Sequence, residues 1–152
     1  MKRTLFVALL ACVTLMFASC NKEKDLNGTN WKTHTVVNQE MNMEGVTATI
    51  NMTIDGTMSF TNATNGAMIL TTSGSMQAMG MTIPMDAETD TIDFTYTFTG
   101  ENGTITMKED NESISVPFTY NKKDNTINIT QTQTDEETGL SMTIDMTFTE
   151  AK

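Results

Sequence analysis

From Trp31 to the C-terminus, apolar and polar residues alternate with a period of two. Ile50, Met52 and Ile54 alternate with Thr49, Asn51 and Thr53, and Ile92, Phe94, Tyr96 and Phe98 alternate with Asp93, Thr95, Thr97 and Thr99. Met142, Ile144, Met146 and Phe148 repeat the pattern against Thr143, Asp145, Thr147 and Thr149. Side chains of a strand point alternately to opposite faces, so this pattern predicts half-buried antiparallel strands with one apolar face and one threonine-rich face. β-branched Thr suits the exposed face of such a sheet. No segment has a helical period, and the predicted class is all-β.

The alternation places strands at 31–37, 46–54, 57–63, 67–72, 76–85, 91–99, 104–109, 113–121, 126–134 and 140–149. Asp55-Gly56, Asn65-Gly66, Asn102-Gly103 and Asp124-Asn125 stand between them, and Asp/Asn-Gly pairs favour tight hairpins. Longer connections are expected at 86–90 and 135–139. Pro117, which has no N–H to give to a ladder, points to an edge position or a bulge in its strand. About eight to ten sequential strands joined by short turns predict an antiparallel up-and-down meander, and closure into a barrel would remove its edges.

The first residues follow another pattern. Lys2 and Arg3 precede the apolar run Leu5-Phe6-Val7-Ala8-Leu9-Leu10-Ala11-Cys12-Val13, and the segment ends in Phe17-Ala18-Ser19-Cys20. A charged start, a short apolar stretch and small residues at its end make a secretory signal rather than a membrane span. The ending resembles the lipobox of bacterial lipoproteins, in which small residues admit the peptidase and the cysteine thiol takes the lipid. The resemblance implies a signal peptide over 1–19 and lipidation of Cys20. The partner it implies is a membrane, reached through the acyl chains. Each buried CH₂ contributes about 0.8 kcal/mol, so two or three chains suffice as an anchor. Residues 20–27, which include the charged run Asn21-Lys22-Glu23-Lys24-Asp25, read as a lipidated tether, and 28–152 as the barrel domain.

Processing would leave 133 of the 152 residues, enough for one domain with its own core. Because two positive charges and no negative one are lost, the net charge would pass from −10 to −12. Such a surface repels phosphate backbones, which excludes nucleic acid as a partner class. Apart from Cys20 the mature chain has no thiol, and therefore neither a disulfide nor a cysteine-based zinc site.

Leu26-Asn27-Gly28-Thr29-Asn30-Trp31-Lys32 resembles the Gly-x-Trp entry to the first strand of lipocalins and lipocalin-like bacterial lipoproteins, with Asn30 as one additional residue. Ile54-Asp55-Gly56-Thr57-Met58-Ser59-Phe60 and the stretch from Phe118-Thr119-Tyr120 to Ile127-Asn128-Ile129 resemble hairpins of the same family. The resemblance implies a lipocalin-like, calycin-type barrel with Trp31 closing one end. Lipocalins commonly cover that tryptophan with a late arginine. The mature chain has none, and Lys152 is the cation at the corresponding end of the sequence.

Methionine is the candidate chemistry. Met76, Met79, Met81 and Met85 lie close together, and thioethers can hold copper(I). Most methionines, however, occupy apolar slots of strands, where their flexibility suits packing or a ligand wall. The spacing of Asp86, Glu88 and Asp90 suggests a calcium loop, but Thr91 and Thr97 stand where an EF-hand needs Gly and Glu. His34 is the sole histidine, so neither a nucleophilic triad nor a His-based zinc site can be assembled. No catalytic residue, metal site or cofactor is expected. The reading that results is a non-enzymatic, lipid-anchored protein of the Gram-negative cell envelope, on the periplasmic or surface face of the outer membrane. Its barrel would bind a small apolar or amphipathic ligand against Trp31, Met52, Phe94, Tyr96, Met142 and Met146. The rival readings are a filled barrel that meets a protein partner and a Met-rich copper(I) protein.

Overall fold

The computed structural model describes residues 24–43, 46–109, 112–134 and 141–152. The predicted signal peptide, Cys20 and the connection 135–139 lie outside the described residues. Eight antiparallel strands follow one another: β1 (Asn30–Met43), β2 (Val46–Phe60), β3 (Asn65–Ala78), β4 (Met81–Thr99), β5 (Asn102–Glu109), β6 (Glu112–Asn121), β7 (Thr126–Thr134) and β8 (Ser141–Glu150). Each pairs with the next and β8 pairs with β1, so the meander is a closed barrel.

The reduction from ten expected strands to eight has local causes. Asp55-Gly56 makes no hairpin and lies inside β2. Gly56 takes an inward slot opposite Thr33 and Leu70, and the Leu70 side chain occupies the space a Cβ would claim. Glycine is used there for packing, not for turning. Asn65-Gly66 begins β3, and the turn comes just before it, where Asn62 Oδ1 accepts the backbone N–H groups of Thr64 and Asn65. The turn between β3 and β4 falls inside the predicted strand 76–85, at Met79 and Gly80, with φ of 52° and 75°. Two consecutive positive φ values suit a tight hairpin whose twist matches its strands.

The expected connection at 86–90 is instead a bulge within β4. Thr72 pairs with Glu88 but Gly74 pairs with Met85, so β4 carries one residue more than β3 between these rungs. An extra residue shifts the side-chain phase by one. Odd residues Met81, Ile83 and Met85 and even residues Ile92, Phe94, Tyr96 and Phe98 therefore share the inner face.

The ladders have unequal lengths, and this shapes the molecule. The four strands β1–β4 pair along nearly their whole lengths. In contrast, β4 pairs with β5 from Phe94↔Met107 to Thr99↔Asn102 and no further. β6 pairs with β7 over four rungs, from Phe118↔Ile129 to Asn121↔Thr126. Pro117 stands one residue before Phe118, where a residue without an N–H ends the ladder. β8 and β1 share Trp31↔Glu150 and Lys32↔Thr149. The barrel is thus a closed ring at the end holding residues 24–30 and the turns at 61–64, 100–101 and 122–125. It flares at the other end into a tall four-stranded wall and two hairpins, although Gln39 Nε2 of β1 still donates to the Ser141 carbonyl of β8 there at 2.9 Å.

The closed end is filled. Trp31, Met58, Phe60, Ile105, Phe118, Ile127 and Phe148 are fully buried there. Phe60 meets Phe94 and Tyr96 edge-on at 5.7 and 4.7 Å, and Phe98 stacks on Phe118 at 5.7 Å. Edge-to-face and offset stacking are the favoured aromatic geometries. Gly66 faces Phe94 and Gly103 faces Phe118, and in each case the ring lies where a Cβ would stand. Outside, the threonine face forms cross-strand hydroxyl pairs, among them Thr71–Thr89, Thr106–Ser115, Thr132–Thr143 and Thr134–Ser141. A hydroxyl-lined exterior around an apolar interior is the inverse of a membrane-spanning barrel.

Candidate functional site

Residues 24–31 build the seal of the closed end. Leu26 is buried in the core, and its carbonyl accepts the backbone N–H of Thr29 at 3.0 Å and the Thr29 hydroxyl at 2.6 Å. The Trp31 indole Nε1 donates to Thr29 Oγ1 at 2.8 Å, so the ring is both buried and hydrogen-bonded. The Lys24 ammonium lies 5.5 Å from the centre of the Trp31 ring and 5.9 Å from that of Tyr120. Glu150 holds it with Nζ–O distances of 2.9 and 3.0 Å. The cation that covers the tryptophan is therefore Lys24, from the segment read as tether, whereas Lys152 is exposed. Glu150 also accepts a hydrogen bond from Asn125 Nδ2 at 2.7 Å. The hydrogen bond from Asn125, then the hydrogen bond from Lys24 and its charge, lower the Glu150 pKa against the opposing effect of burial.

Above the seal a cavity of about 930 Å³ opens where β4 and β5 part. Its apolar wall is Met68 and Leu70 of β3, Ile92 and Phe94 of β4, Ile105 and Met107 of β5, Ile114 and Val116 of β6, Ile129 of β7 and Met146 of β8. Asp90, Asp93, Lys108 and Gln131 supply polar groups. Its volume lies in the range of small-molecule sites, which combine an apolar lining with a few placed polar groups.

The six residues expected to line a ligand site separate in height. Phe94 and Met146 line the cavity. Trp31 lies beneath it in the seal. Tyr96 packs on Phe60, and its hydroxyl donates to the Asn62 carbonyl at 2.8 Å. Burial, and secondarily the Asp25 charge, raise the Tyr96 pKa. Met52 is buried on the inner face of β2, and Met142 is half-buried on that of β8, away from the cavity wall. The remaining wall residues, such as Met68, Ile105 and Ile129, carry the same inward parity. What marks them is proximity to the points where ladders end.

The tall wall carries the unusual methionines. Directly paired residues of neighbouring strands share a face. Its uppermost inner rows are Met41, Ala48, Ala78 and Met81, then Gln39, Ile50, Met76 and Ile83. Met81, Ile83 and Met85 are 62, 47 and 41% exposed. Met81 and Met85 are about 13 Å apart along an extended strand, and Met79 lies in the turn, so no single ion is ligated by all three. Below them comes a polar belt, where Thr33 and Thr35 join hydroxyls at 3.1 Å and Glu88 and Asp90 lie on β4. Asp86, Glu88 and Asp90 extend along an exposed strand rather than around a loop. Among the described residues no group of three or more His, Cys, Asp and Glu could hold a metal ion. His34 is exposed on β1 and contacts Asp55 at 2.7 Å.

The chain matches no protein-family model, no curated protein and no solved structure at a significant level.

Proposed function

We propose that this protein is a lipid-anchored, non-enzymatic lipoprotein of the Gram-negative outer membrane, whose lipocalin-like barrel binds a small apolar or amphipathic molecule. The observation that carries the binding reading is the cavity of about 930 Å³ walled by Met, Ile, Val, Leu and Phe from six strands. A barrel meant only as a spacer could be filled to the top as its closed end is. The lipobox-like Phe17-Ala18-Ser19-Cys20 carries the anchor reading. The chain enters the fold at the closed end, where Lys24 caps Trp31. A lipid on Cys20 therefore holds the closed end toward the bilayer and turns the flared end outward.

Native mass spectrometry of the purified chain offered an envelope lipid extract tests the binding reading. A discrete adduct that is lost on Met68→Trp or Ile129→Trp supports it, and a bare chain under conditions that preserve a control binder's ligand refutes it. Cys20→Ala tests the anchor: the variant should lose both its acyl label and its membrane association. The exposed row Met81, Ile83 and Met85 favours a second reading, in which the flared wall meets a protein. Polar substitution of that row would then abolish the partner's capture while leaving the lipid adduct intact.

A further inference from the structure

The charges of this chain are sorted by height. Lys24, Lys32, Lys122, Lys123 and Lys152 lie at the closed end, where they accompany Asp25, Glu101, Asp124 and Glu150. Above the ring Lys108 is the one lysine among the described residues. At the same end lie Glu40, Asp86, Glu88, Asp90, Asp93 and Glu112. Among the described residues the excess negative charge thus belongs to the flared end, and the closed end is close to balanced.

The cavity opens into that acidic end at one specific place. Continuing the β4–β5 register one rung past Phe94↔Met107 would set Asp93 against Lys108. The rung is not formed, and Asp93 and Lys108 are not among the ion pairs of the described residues. Both residues, with Asp90, border the cavity at this slit. Carboxylates beside low-dielectric walls concentrate cations at an opening. An apolar pocket with such a rim is complementary to a molecule that is apolar along its length and positive at one end.

We propose that the cavity takes a cationic amphiphile, its apolar chain inserted through the slit between β4 and β5 and its ammonium group held by Asp90 on the inner face, with Asp93 drawing it in from the outer lip. Lys108 is the opposing cation of the slit and selects against a second positive charge. The proposal rests on the binding reading given above and adds the ligand's charge and its route of entry.

The test uses the full chain in nanodiscs of zwitterionic lipid, titrated calorimetrically below micelle formation, with empty nanodiscs as reference. The probes are decyltrimethylammonium, decyl sulfate and decyl maltoside. Saturable binding of decyltrimethylammonium, at least tenfold tighter than decyl sulfate and weakened by added salt, is the expected result. The variant carrying Asp90→Asn and Asp93→Asn should lose that preference while still binding decyl maltoside as the parent does. A disulfide between Asp93→Cys and Lys108→Cys should block all three probes until it is reduced, with strand content by circular dichroism unchanged. Equal affinity for the three probes, or a preference that survives the double Asn variant, overturns the charge assignment and leaves the cavity reading standing. Binding of none of them above the empty nanodisc overturns both.

Discussion

The lower and upper halves of β4 belong to one strand and share one inner face, in phases one residue apart, yet they have opposite fates. Between Phe94 and Thr99 the strand is paired with β5 throughout and with β3 at Phe94 and Thr95, and its inner residues pack among aromatic rings. Between Met81 and Asp93 it is paired on one side, and its inner Met81, Ile83 and Met85 remain open to solvent. The difference lies in what opposes each half. Below, Gly66 and Gly103 remove bulk so that Phe94 and Phe118 can cross the axis. Above, no aromatic residue spans the gap, and Pro84, Asp86, Glu88, Asp90 and Asp93 line a free edge. Proline and inward-pointing charges are standard protection of an edge against pairing with another chain. Alternation decides which residues face inward, while side-chain volume and ladder length decide whether the inside is a core or a cavity.

Breaking the closed end should cost most. Phe118→Ala is expected to destabilise the barrel by about 3–5 kcal/mol, read from denaturant midpoints. Leu26→Ala, before the first strand, should cost about 2–4 kcal/mol if the seal is part of the core, and almost nothing if these residues are a tether. Gly103→Ala forces a methyl group against the Phe118 ring, and a loss of about 1–3 kcal/mol is expected. The seal also makes a pH signature. The folded-state pKa of Glu150 is depressed, so its contribution is present above the unfolded pKa and is lost as pH falls through the folded one. Glu150→Gln should remove at most about 1 kcal/mol at neutral pH, and the difference from the parent should vanish in acid, below the ordinary glutamate range. Smallest of all, Ile83→Ser on the open wall should change stability by less than about 0.5 kcal/mol. A larger loss there would mean that the upper wall is packed, and the contrast between the two halves would fall.

Much of this was legible in the alternation: the all-β class, the meander and the identity of most inward residues. The errors concern partners rather than local pattern. Asp55-Gly56 reads as a turn unless one knows that Leu70 needs the space above Gly56. The bulge in β4 is visible as a change of apolar parity between Met85 and Ile92, but acidic residues in the shift resemble a loop. Lys24 sits in a charged run that reads as solvated, and its place over Trp31 depends on Glu150, 126 residues away. Parity names a face but not a height, which explains why Phe94 and Met146 line the cavity while Trp31 lies beneath it.

The topology also fixes an order of events. Seven of the eight ladders join strands adjacent in sequence, and the contacts they make are local enough to form hairpin by hairpin. The eighth brings Trp31 to Glu150 across almost the entire described domain for two rungs and the bond from Ala151 N–H to the Asn30 carbonyl. Closing so long a loop costs entropy that two rungs repay poorly, although the cost grows only logarithmically with length. The seam between first and last strands is therefore expected to be the last to zip during folding and the first to open in the native state. Its amides should be the fastest to exchange hydrogen with solvent among those paired at the closed end, and the Lys24–Glu150 pair across the seam sets how seldom they do.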